Sequence, residues 1–142
     1  MTADLKAKIV ETFSTRKFGE KQVVSISVIY SNEISGGYKE TDRVDQLYGP
    51  GYYEEKLLGV TFWVSPFAFF QVNTPVFELM LHKIKNFAQI DGDTTLLDIC
   101  CGTGAIGLCL SQFQVKKVIG IELLKSAVDN ANQNVELNKN VF

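Results

Sequence analysis

Between Leu96 and Gly107 the chain reads LLDICCGTGAIG, an apolar run ending in a loop that carries Gly102, Gly104 and Gly107 at G-x-G-x-x-G spacing. A strand that stops at glycines and restarts as a helix leaves few folds open. The loop must turn sharply, let a ligand touch backbone, and let the helix pack close to the strand. Leu96, Leu97 and Ile99 predict a buried strand, followed by a helix from about Gly104 to Gln112. A second strand over Val118, Ile119, Gly120 and Ile121 precedes a helix with Ala127, Val128, Ala131 and Val135 on its apolar face. This β-α-β-α series predicts an α/β fold, the first third of an open, doubly wound sheet. Such sheets average about five or six strands, so two parallel strands leave its faces uncovered. The chain is therefore expected to stop mid-fold, with residues 138–142 leaving the last helix toward a strand barely begun.

Upstream the pattern changes. Leu5, Ile9, Val10 and Phe13 have helical spacing, and the segment breaks at Arg16-Lys17-Phe18-Gly19. Val24, Ile26, Val28 and Tyr30 alternate with Ser25 and Ser27 as in a half-buried strand, which Gly36-Gly37 should end. Residues 38–50 are polar and carry no clear period. Two strand-like runs, 52–57 and 60–64, flank Leu58-Gly59 as a hairpin. Asn73-Thr74-Pro75 opens a helix, with Thr74 as the cap, Pro75 at the first helical position, and Phe77, Met80, Leu81, Ile84 and Phe87 along one face. The expected division is a helix plus antiparallel β segment at 1–64 and the α/β part at 65–142.

Composition limits the classes of function. A 46% hydrophobic and 21% charged chain of 142 residues is that of an ordinary globular domain. Without an apolar run of about eighteen residues or a secretory leader, it is expected to be intracellular and to have no membrane partner. Three cysteines, Cys100, Cys101 and Cys109, fit neither a disulfide framework nor a C-x-x-C metal knuckle, so no metal site is expected. At a net charge of −2 the whole chain does not attract nucleic acid. Lys6, Lys8, Arg16, Lys17 and Lys21 are diluted by Asp4, Glu11 and Glu20 and read as a solvated face. His82, within the predicted helix, reads as a surface residue.

Two carboxylates narrow the choice of cofactor. Asp98 lies in the strand just ahead of the glycines, and Glu122 ends the next strand, where it can accept hydrogen bonds from ribose hydroxyls. A dinucleotide would place its pyrophosphate at the helix N-terminus, whereas S-adenosyl-L-methionine has no phosphate and presents an ammonium group that an acid can bind. The acid ahead of the loop suits S-adenosyl-L-methionine. An NAD-dependent oxidoreductase would rest on the glycine spacing alone, and a non-catalytic interaction module built on the same fold is the remaining alternative.

The segment from Asp98 to Gly104, followed by Ile121-Glu122, resembles motifs I and II of class I methyltransferases, with Cys100 standing where the usual first glycine would be. SPFAFFQVNT, from Ser65 to Thr74, together with LLGVTFWVSP just before it, resembles the RNA uracil-5 methyltransferases, whose eukaryotic members modify a T-loop uridine of tRNA. The resemblance covers roughly residues 50–138. It implies the start of a class I, Rossmann-like methyltransferase sheet, preceded by a small antiparallel β-rich segment with one helix. It also implies S-adenosyl-L-methionine as cofactor and tRNA as a partner of the complete protein.

The same resemblance assigns Gln71 to the cofactor site, Cys100 and Ala105 to loop positions touching the cofactor, and Glu122 to the ribose. Ala105 departs from the asparagine of some members, leaving only a backbone contact there. Gly102 and Gly104 shape the loop, and Asp98 is expected to order it rather than bind ligand directly. Phe69, Phe70 and Val72 read as apolar anchors of the following helix. In that family a thiolate adds to uracil C6, the resulting enolate takes a methyl group at C5, and a base then removes the C5 proton. The family's nucleophile and base lie in later motifs, so no catalytic residue is expected in this segment, and Cys109 reads as a buried small hydrophobe. The open sheet edge predicts dimerisation of the chain.

Overall fold

The computed structural model describes residues 1–32, 39 and 41–139. The turn expected at Gly36-Gly37 and the end of the exit segment at 140–142 lie outside the described residues. The chain divides into two compact units. One is Met1–Tyr53 with Ser65–Phe67, and the other is Glu54–Val64 with the chain from Ala68 onward.

In the first unit, α1 (Ala3–Ser14) starts at Thr2, whose side chain accepts a hydrogen bond from the Leu5 amide at 3.3 Å. Its apolar stripe is shallow, and none of its residues is buried. The break after α1 is a small paired turn, β1 (Lys17–Phe18) with β2 (Lys21–Gln22). The alternating segment forms β3 (Ile26–Tyr30), shorter than its pattern because Val24 stays exposed. Its antiparallel partner is β4 (Arg43–Tyr48), a strand within the stretch that showed no period. The polar residue inside β4 is neutralised locally. Asp45 accepts from Arg43 at 2.9 and 3.0 Å, from the Tyr30 hydroxyl at 3.0 Å, and from Lys6 of α1. Those donors, Lys6 and then Arg43 first among them, hold the Asp45 carboxyl well below the usual range.

The core lies in the second unit. β5 (Tyr53–Leu57) and β6 (Val60–Val64) pair across Leu58 and Gly59, at φ of 50° and 83°. Positive φ at both central residues is what a two-residue type I′ hairpin turn requires. Along β6 burial alternates strictly, placing Val60, Phe62 and Val64 inside. Phe70 packs on Phe62 with ring centres 5.5 Å apart, and on Phe77 edge-on at 6.4 Å, while Phe69 is 76% exposed. Of the aromatics ahead of the next helix, Phe70 is thus the anchor.

That helix is α2 (Thr74–Phe87). Its cap is Asn73 rather than Thr74, the Asn73 side chain accepting from the Val76 amide at 3.3 Å, with Pro75 in the first turn. Phe77 and Leu81 are buried and Ile84 packs against them, but Met80 and Phe87 are exposed, so the buried stripe is narrower than the spacing suggested. His82 is exposed, its ring 6.1 Å from Phe113.

β7 (Thr95–Ile99) and β8 (Lys117–Ile121) run parallel, with Asp98 opposite Gly120. They are joined through α3 (Ala105–Ser111), and α4 (Lys125–Leu137) follows β8. The strands alternate rather than being buried throughout. Asp98 is buried, whereas Leu97, Ile99 and Ile121 are more than half exposed and Ile119 is 37% exposed. The expectation of a wholly buried Leu96–Leu97–Ile99 run is corrected by the pleat: successive side chains face opposite ways, and only one face is covered by helices. Among the described residues no helix is long and apolar enough to cross a membrane.

Candidate cofactor site

The loop between β7 and α3 is assembled from backbone that cannot hold its shape unaided. Cys100, Gly102 and Gly104 all have left-handed φ, at 62°, 55° and 79°. Glycine adopts this region freely and cysteine does not. An ideal Cβ built at Gly102 would meet nothing within 4 Å, so that position faces open space into which a ligand can approach the main chain.

Three side chains from three elements pin the loop. Asp98 in β7 accepts from the Gly107 amide at 3.0 Å, capping a donor that Gly104, at the helix start, has no side chain to satisfy. The fit is close: a Cβ on Gly107 would stand 3.0 Å from Val118 and 3.3 Å from the Asp98 carboxylate. Burial pushes the Asp98 carboxyl up, and the Gly107 amide partly opposes this. Glu122, just past β8, accepts from Gly102 through Oε2 at 2.9 Å and from Leu123 and Leu124 through Oε1 at 2.7 and 3.0 Å. The Leu124, Gly102 and Leu123 amides hold it below the usual glutamate range, and so ionised. A carboxylate has about four lone-pair positions, and three are taken. The remaining one is on Oε2.

The third anchor is a residue that apolar periodicity passed over. Asn134 of α4 is fully buried and donates to the Thr103 carbonyl at 3.1 Å, while Val135, expected on the inner face, is 46% exposed. Asn130, Asn134 and Asn138 are all buried, four residues apart. Asparagine is a poor helix former, and its recurrence at i, i+4 and i+8 was the signal available in the sequence.

Ala105 opens α3 and is half-buried, and Cys100 is exposed at the loop. Gln71 is exposed ahead of α2, with no hydrogen bond to the glycine loop among the described residues. Neither inner cysteine is primed as a nucleophile. Burial, then Asp98 and Glu122, push the Cys101 thiol up, and burial pushes Cys109 up to about 12. A cavity of about 230 Å³, lined by Asp98, Gly104, Leu108, Val118, Glu122 and Ala131 among others, lies beneath the loop between sheet and helices.

A family model described as tRNA (Uracil-5-)-methyltransferase matches residues 60–141, which include both hairpin strand β6 and the whole pinned loop. The chain belongs to this family. It is 41% identical over 137 residues to tRNA (uracil-5-)-methyltransferase homolog A of Mus musculus, covering 96% of this chain and 22% of the relative. To homolog B of Danio rerio it is 38% identical over 136 residues, covering 94% and 28%. The crystal structure of Pyrococcus abyssi tRNA (uracil-54, C5)-methyltransferase in complex with S-adenosyl-L-homocysteine superposes with a TM-score of 0.60 at 25% identity, over 80% of this chain and 28% of that one. This tRNA (uracil-5-)-methyltransferase family chain thus spans under a third of the length of these relatives.

Proposed function

We propose that this chain is the S-adenosyl-L-methionine-binding portion of a methyltransferase that forms 5-methyluridine in tRNA. The series β7-α3-β8-α4 is read as the start of a class I, Rossmann-like sheet. The observation that carries the reading is the Glu122 carboxylate, ionised at the end of β8 and fixed on the Gly102 amide with one lone pair unused. The donor set fits this cofactor. The loop offers open backbone at Gly102, one acidic acceptor for a hydroxyl, and no basic side chain in the loop. A pyrophosphate fits less well, because the Gly107 amide at the start of α3 is already engaged by a carboxylate.

Bound there, the cofactor supplies an electrophilic methyl group. Glu122 orients the ribose, Asp98 and the loop glycines shape the backbone floor, and the exposed Gln71 offers both a donor and an acceptor. The methyl acceptor is uracil C5, made nucleophilic when a thiolate forms a bond to C6. A base then takes the C5 proton as the C6–S bond breaks. The raised Cys101 and Cys109 thiols support a thiolate other than these two, and the family resemblance puts the thiolate and the base in later motifs. The tRNA is engaged through the complete protein.

The test is a calorimetric titration of S-adenosyl-L-homocysteine into the protein, with NAD in parallel, after circular dichroism shows a folded chain. Saturable binding weakened at least about tenfold in Glu122→Ala is expected, the size of one lost charge-assisted hydrogen bond. Binding of NAD in place of S-adenosyl-L-homocysteine would overturn the reading.

A further inference from the structure

The edge of β6 is closed by a helix. The Thr61 amide donates to Asn138 Oδ1 at 3.0 Å, and Asn138 Nδ2 donates to the Thr61 carbonyl at 2.8 Å and to the Asn134 carbonyl at 2.7 Å. One turn earlier, the Trp63 amide donates to Asn134 Oδ1 at 2.8 Å. Both side chains thereby replace a neighbouring strand. They differ in where the other half of the amide goes. Asn138 spends its donor on β6 and on its own helix, whereas Asn134 spends its donor on Thr103, inside the cofactor loop.

Thr103 is buried and sits between Gly102 and Gly104, the two residues whose backbone is least constrained. Its carbonyl orientation fixes the rigid peptide plane shared with Gly104, and the Gly104 amide then meets the Cys101 carbonyl at 2.9 Å. Glu122 controls the loop from the amide of Gly102. Asn134 controls it from the carbonyl of Thr103. The orientation of the Asn134 amide is unambiguous, since one end faces an N–H and the other a C=O.

We propose that Asn134 is a positioning residue: it holds the Thr103–Gly104 peptide in the cofactor-binding orientation and ties that orientation to the β5–β6 hairpin. The inference rests on the reading of the loop as the S-adenosyl-L-methionine site. Asn138 supplies the internal control, being a buried asparagine on the same helix and the same strand edge without a bond to the loop.

The experiment compares wild type, Asn134→Asp, Asn134→Ala and Asn138→Ala by S-adenosyl-L-homocysteine titration, melting temperature, and exchange of the Gly104 amide in the ligand-free protein. Asn134→Asp keeps the bond from Trp63 and sets an oxygen against the Thr103 carbonyl. It is expected to raise the dissociation constant about tenfold and to speed Gly104 exchange. Asn138→Ala is expected to lower the melting temperature while leaving the dissociation constant within about twofold and Gly104 exchange unchanged. A folded Asn134→Asp that binds as tightly as wild type, or equal weakening by both positions, overturns the proposal. If wild type ignores S-adenosyl-L-homocysteine, the cofactor reading fails, and Gly104 exchange still decides whether Asn134 sets the loop. If both Asn134 variants fail to fold, the wild-type side-chain amides decide. Ligand binding should slow exchange of the Asn134 Nδ2 protons and leave those of Asn138 unaffected, and an equal response of the two would overturn the proposal.

Discussion

Cys100 occupies a backbone conformation that suits glycine, at φ 62°, with its side chain exposed. A residue with a Cβ in this region loses about 1–2 kcal/mol, while glycine adds unfolded-state entropy worth about 0.4–1 kcal/mol. The two effects nearly cancel, so urea denaturation of Cys100→Gly should show stability within about 1 kcal/mol of wild type. Cys100→Val, with a β-branched side chain in the same well, should lose about 2 kcal/mol. At this scale the sequence was informative where chemistry is written into residue type. Asp98, Gly102, Gly104 and Glu122 were all picked out by spacing, and the loop joins them. Asn134 was passed over because its importance depends on what faces it, Trp63 and Thr103, 71 and 31 residues away. Gln71 came only from resemblance, and its exposed side chain shows no tie to the loop among the described residues.

Among the elements, α2 shows how a short motif specifies a boundary. Asn73 accepts from Val76, and Pro75 stands where no intrahelical donor is needed. Asn73→Ala should cost about 1 kcal/mol in chemical denaturation, with no change in the slope that reports surface exposure on unfolding. The β5–β6 hairpin was legible for a related reason, because Leu58-Gly59 separates two strand-like runs by the two residues a tight turn needs. β4 was not. Its Asp45 and Gln46 break the alternation, and they are tolerated because Lys6, Tyr30 and Ser27 meet them from other parts of the first unit, with Arg43 of β4 itself adding to Asp45. Such compensation is tertiary and leaves no period in the chain. The same holds for α4, where buried asparagines replace part of the apolar face and shift the inward stripe away from Val135.

In the molecule as a whole, the parallel pair β7–β8 presents Leu97, Ile99, Ile119 and Ile121 on its uncovered face. Apolar area of this kind is stabilised by about 25 cal/mol for each Å² removed from water, and exposed contiguous patches mark association surfaces. We propose that the isolated chain self-associates. Light scattering across a wide concentration range should show a rising mean mass that Ile99→Lys suppresses, and a monomer at every concentration would refute it. The asparagine pair on α4 adds a direction to this behaviour. Unpaired strand edges are where chains recruit one another into extended sheets. At β6 the Thr61 and Trp63 amides are already occupied by side chains of the same unit. The molecule therefore carries a built-in stopper against sheet growth on the hairpin side, and polymerisation by strand addition there would first require prising α4 away.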